Sequence, residues 1–87
     1  MAEHSDYELS EHALIMIRER EISIEWIEKV FYNPDITEND RNDTALLHAL
    51  GKISEHGDRV LRVIYNDVIK PRKIVTVYFD RKMKGKL

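Results

Sequence analysis

The spacing of apolar residues changes once along this chain, near residue 36. Before that point it is helical. Ala13, Leu14 and Ile17, continued by the stem of Arg20, form a stripe that predicts a helix over 11–20. Ser10 stands at the N-cap position, and Glu11 in the first turn complements the helix dipole. Glu21 and Ile22 lead out of this helix. Ser23 then caps a second one over 24–32, in which Ile24, Ile27, Val30 and Phe31 share a face. Asn33-Pro34 stops it, because a residue before proline is pushed out of the α region.

After Pro34 the period becomes two. Ile36–Glu38 starts a short edge strand, and the Asp- and Asn-rich stretch 39–44 reads as a turn. Leu46–Ile53 is ambiguous. Asp43 or Thr44 could cap a helix there, yet Leu47, Ala49 and Ile53 alternate, and Gly51 weakens a short helix, which favours a strand. Glu55-His56-Gly57-Asp58 is a hairpin turn leading into a strand over 59–66, with Leu61, Val63 and Tyr65 on one side and Val60, Arg62 and Ile64 on the other. A loop with Pro71 precedes the last strand, 73–80. The expected fold class is α+β: two N-terminal helices packed on one face of a three- to four-stranded antiparallel sheet. Residues 1–87 form one domain, with 1–8 a loose leader and 82–87 a basic tail. Leu47, Ala49, Ile53, Leu61, Val63, Val75, Val77 and Phe79 are expected beneath the helices. His48, Arg62, Thr76 and Tyr78 are expected on the opposite face as a shallow polar site.

Composition narrows the class. With 43% hydrophobic and 34% charged residues the chain is globular, and with no cysteine it has neither disulfides nor thiolate chemistry. The polar, acidic start lacks the features of a signal peptide, and no apolar run approaches a membrane span, so a cytoplasmic protein without membrane partners is expected. The net charge of −2 hides a split: residues 1–44 carry twelve acids and four bases, residues 45–87 ten bases and four acids. The basic half suits a phosphate backbone or an acidic protein, although ordinary solvated faces would give the same count.

Candidate chemistry rests on His12, His48, Arg20 and Arg62. His12 lies in the first turn of a helix, where the dipole favours a neutral imidazole able to act as a base; alternatively it packs on Trp26 or Tyr7. His48 is a second acid or base candidate. Arg20, Arg59 and Arg62 have the forked donors that bind phosphate, while cross-strand pairing of Arg59 and Arg62 with Glu55 or Asp80 is an equal alternative. Arg59, Thr76, Tyr78 and Arg81 are the candidate substrate contacts. Tyr65 and Tyr78 could stack on bases or complete the core. His4 and His56 read as solvated loop residues. No His pair has helical metal-site spacing and no His/Cys cluster occurs, so no metal or other cofactor is expected.

Leu9-Ser10-Glu11-His12-Ala13, Arg18-Glu19-Arg20-Glu21-Ile22-Ser23, Trp26-Ile27 and Asn33-Pro34-Asp35 together resemble the bacterial domain-of-unknown-function 4258 family. Arg59–Asn66 and Val75–Arg81 extend the likeness over nearly the whole chain, about residues 8 to 85. Two positions depart from the family: Met16 replaces a frequent arginine, and Glu21 a frequent glycine. The element order is similar to small ribonuclease toxins of the RelE and BrnT type. By that analogy the resemblance implies a RelE/BrnT-like fold, a metal-independent endoribonuclease acting on RNA, and a small antitoxin-like partner, with homo-oligomerisation left open. The pI of about 6.1 departs from the strongly basic character of RelE-like toxins. The competing reading is a non-catalytic module that grips a basic partner through its acidic half or adds a partner strand at a sheet edge. Convergence of the histidines and arginines in one pocket is what separates the two.

Overall fold

A computed structural model describes residues 6–87 of the chain. Strand β1 spans Tyr7–Leu9, helices α1 and α2 span Glu11–Arg20 and Ile24–Tyr32, and strands β2 to β5 span Ile36–Asn39, Leu46–Ile53, Arg59–Asn66 and Arg72–Phe79. Short 3-10 turns occupy Ser54–His56 and Arg81–Met83. Both helix starts follow the sequence. Ser10 Oγ accepts from the amide of Ala13 and Ser23 Oγ from that of Glu25, satisfying donors that a helix end leaves free.

The sheet has five strands in the order β1-β5-β4-β3-β2, and it is mixed, not antiparallel throughout. β1 runs parallel to β5, pairing Tyr7 with Arg72 and Leu9 with Ile74. Tyr7 and Glu8 are therefore an edge strand instead of leader. Nothing in a three-residue segment announces a partner more than sixty positions away. The first five residues, including His4, lie outside the described residues. The start of the tail is likewise ordered: Asp80 Oδ1 accepts from the amide of Lys82 and caps the Arg81–Met83 turn, which folds back onto β4.

Both helices cover one face. Ala13, Ile22, Ile27, Val30 and Phe31 close over Ala49, Ile53, Leu61, Val63, Tyr65, Ile74 and Val77. Burying aliphatic side chains of this size stabilises by about 1.5–3 kcal/mol each. Gly51 permits the close approach of α2, since a Cβ there would stand 2.8 Å from Val30 Cγ2. Tyr65 completes this core and is not free to stack on a base.

Three expected packing positions are corrected. The register shifts between Ile64 and Tyr65, so β5 carries one extra residue; Ile74, not Val75, takes the core position. Ile24 and Leu14 are exposed, because the helices present Ile27 and Ala13 most directly to the sheet. The second face is not a shallow polar surface: Leu50 and Val60 are fully buried there, and Arg62 is only 9% exposed.

Candidate functional site

Two clusters contain the candidate residues, one on the second sheet face and one at the sheet's end. On the second face, Arg62 of β4 stands opposite Leu50 and Tyr78 and reaches diagonally to its partners. Its Nε and Nη2 donate to Asp80 Oδ2 at 3.0 and 2.7 Å, and its Nη1 donates to Glu38 Oε1 at 3.0 Å. Nη1 also lies 2.7 Å from His48 Nδ1. An arginine only donates, so Nδ1 accepts and the ring proton sits on Nε2, which faces Asp40 Oδ1 at 2.7 Å. Both nitrogens of His48 are thus engaged.

The electrostatics follow from these contacts. Burial disfavours the Arg62 charge, but hydrogen bonds to Asp80 and Glu38 outweigh it and hold the guanidinium above its ordinary value. Burial likewise pushes the Asp80 carboxyl up, yet the Arg62 bonds and the Lys82 amide win and leave it below its ordinary 3.8. Asp40 is lowered chiefly by its hydrogen bond to His48. Every charged group of this cluster is hydrogen-bonded within it, one guanidinium and one imidazole serving three carboxylates. The cross-strand alternative considered for Arg62 is the arrangement the protein adopts, with Asp80 as partner.

The second cluster lies where the end of α1, the β3–β4 turn and the end of β5 meet. A cleft of about 410 Å³ is lined there by Arg20, His56, Arg59, Phe79, Asp80, Arg81 and Lys84. Four are cations, and none of these four has a carboxylate oxygen within 4.0 Å among the described residues. The one carboxylate in the wall, Asp80, is committed to Arg62. His56 is the residue the sequence reading missed. Far from being solvated, its ring is half-buried against Trp26, at 4.9 Å between centroids, and Phe79, at 5.0 Å, and these two rings also touch each other at 6.1 Å. Trp26 is fixed in turn by its indole N–H, which donates to Glu55 Oε2 at 3.1 Å. Neither ring nitrogen of His56 has a hydrogen-bond partner among the described residues, so the imidazole is oriented by packing.

The end of α1 supplies Arg20 through a left-handed cap. Glu21 has φ 52° and ψ 48°, and its amide bonds back to Arg18 and Ile17. This is the position where related sequences were expected to carry glycine, and the conformation explains that preference.

Of the expected site residues, Arg20, Arg59 and Arg81 meet in the cleft, and His48 and Arg62 meet on the second face. Thr76 and Tyr78 lie in β5, half-buried beside Ile64 and Arg62. His12 is exposed on α1, across the sheet from Arg62, and packs on neither Trp26 nor Tyr7. No group of three or more His, Cys, Asp or Glu among the described residues is arranged to hold a metal ion. Among the described residues no helix is long and apolar enough to cross a membrane.

Residues 9–79 match the pattern of a domain of unknown function, DUF4258. The chain belongs to the DUF4258 family. The matched span holds most of both clusters, including Arg20, His56, Arg59 and Phe79 of the cleft; Asp80, Arg81 and Lys84 follow it. No curated protein and no solved structure matches this DUF4258 chain.

Proposed function

We propose that this DUF4258 protein is a toxin-like, metal-independent endoribonuclease whose active centre is the basic cleft. One observation carries the reading: a packed histidine shares a cleft with three arginines and a lysine, and among the described residues neither its ring nitrogens nor these cations have a side-chain partner. Uncompensated arginines are fitted to phosphate, and a histidine beside them is fitted to move a proton at neutral pH. In the proposed reaction the RNA 2′-oxygen bonds to the adjacent phosphorus while its proton passes to His56. Arg59 and Arg81 balance the charge that builds on the phosphorane oxygens. The 5′-oxygen leaves with a proton from Lys84, and a 2′,3′-cyclic phosphate remains. His56 takes the role first considered for His12 and His48. A small antitoxin-like partner would have to cover these cations and would therefore present carboxylates to them.

The test is incubation of the whole chain with single-stranded RNA in EDTA. Cleavage that leaves cyclic phosphate ends, and that stops when the attacking 2′-hydroxyl is replaced by hydrogen, is expected. RNA left intact at high protein concentration, with natural neighbouring gene products supplied, overturns the reading.

A further inference from the structure

The two clusters share one residue. Asp80 lies in the wall of the cleft, yet its Oδ2 receives both Nε and Nη2 of Arg62, which belongs to the other face of the sheet. Its Oδ1 caps the turn that carries Arg81 and leads to Lys84. Both carboxylate oxygens are thereby turned to fixed partners. Arg62 is itself fixed from behind: Glu38 and His48 take its Nη1, and Asp40 holds the far nitrogen of His48. Four hydrogen bonds to one guanidinium leave it little freedom to turn, and a side chain so placed is suited to orienting a neighbour.

We propose that Arg62 is a positioning residue for the cleft: it holds Asp80 away from Arg59, Arg81 and Lys84, and so keeps those cations available for a phosphate-bearing ligand. This rests on the reading of the cleft as a phosphate site. The physical reason is competition. A carboxylate beside several cations is an internal anion, and it takes their charge unless something else holds it. Arg62 does so from the far side of the sheet without touching the ligand. With Arg62 neutral, Asp80 swings to the cleft cations, the Lys82 amide loses its cap, and the cleft becomes self-compensated.

The experiment compares wild type, Arg62→Gln, Asp80→Asn and the double variant. Glutamine and asparagine keep the side chains near their original size and able to hydrogen-bond, so both clusters remain packable. The first measurement is amide hydrogen exchange at Lys82, which needs no ligand. Arg62→Gln is expected to speed it at least tenfold, and unchanged exchange overturns the proposal. The second is binding of a labelled single-stranded RNA across a salt series. Arg62→Gln is expected to weaken binding roughly tenfold and to flatten its salt dependence. Adding Asp80→Asn to Arg62→Gln is expected to restore most of the affinity, because the competing carboxylate is gone. A purely structural Arg62 gives a double variant no better than the single one, and that result also overturns the proposal. Arg59→Gln separates the two claims. If it leaves RNA binding unchanged, or if wild type binds no RNA, the reading of the cleft fails and Lys82 exchange alone decides the role of Arg62. If Arg59→Gln weakens binding but Arg62→Gln does not, only the positioning role falls.

Discussion

At one end of the sheet, arginine and histidine side chains line a cleft with no carboxylate partner among the described residues; on the second face, the same two residue types are tied to three carboxylates. His48 has both ring nitrogens engaged, by Arg62 and Asp40, whereas His56 packs against two aromatic rings and its nitrogens have no partner among the described residues. Hydrogen bonds that hold a ring occupy its nitrogens, and packing against other rings does not. The difference teaches that the chemistry of a histidine in this protein depends on what holds it, more than on which strand or turn bears it.

The sharpest way to break the comparison is to remove each histidine. His56→Ala is expected to slow RNA cleavage by roughly two to four orders of magnitude, the usual worth of a positioned base. His12→Ala, on exposed α1, is expected to leave the rate within about threefold, well short of a catalytic loss. Single-turnover rates check both, and a larger loss in His12→Ala than in His56→Ala would reverse the assignment. Next in size, Arg59→Gln and Arg81→Gln are each expected to weaken RNA binding and to reduce the slope of log affinity against log salt by about 0.7, the value for one phosphate contact on a single strand. Equal slopes in wild type and variants would show that these arginines do not meet phosphate.

The paired cluster has its own signature in acid. Asp80 lies below its ordinary 3.8 in the folded protein, so its contribution to stability is present above that pH and is lost as pH falls through the folded value. A melting-temperature series from pH 6 to 2 is expected to drop steeply below about pH 4, and Asp80→Asn is expected to flatten the drop. The smallest effect concerns the support of Arg20. Glu21→Gly relieves a left-handed residue, at φ 52°, and is expected to stabilise by roughly 0.5–1 kcal/mol. That is a few degrees in Tm for a domain of this size, measured by calorimetry.

Local signals carried far in this chain. Ser10, Ser23 and Asn33-Pro34 mark helix ends that the structure reproduces, and alternation identified β3 and β4. What alternation could not reveal is a change of phase inside a strand. The extra residue beside Ile64 and Tyr65 exchanges Val75 for Ile74 in the core, and both are aliphatic, so no polarity marks the switch. β1 escaped for a related reason, since a parallel pairing to β5 leaves no trace in its own three residues. The candidate site divides similarly. Arg20 and Arg59 were candidate phosphate ligands by type and Arg81 a candidate substrate contact, but the cleft that unites them is made where several elements end. His56 was hidden by its surroundings: Glu-His-Gly-Asp is a turn sequence, and only Trp26 and Phe79, distant along the chain, remove its ring from solvent. Trp26 paired with a turn that follows two strands later is the signal that a reader of the next such sequence could use.

The brevity of the outer strands bears on how this protein behaves in a crowded solution. β1 has three residues and β2 four, whereas each of the three strands between them has eight. Unpaired backbone at a sheet margin is the template on which fibres and swapped dimers grow, and short margins offer an incoming chain few places to bond. The eight-residue strands, rich in valine, isoleucine and leucine, would be strong templates if one of them lay outermost. Placing them in the interior and finishing the sheet with two fragments limits the backbone template that a chain of this composition offers to such growth. It also makes recruitment of another protein by strand addition the less favourable route, and directs attention to side-chain contacts at the cation-lined end.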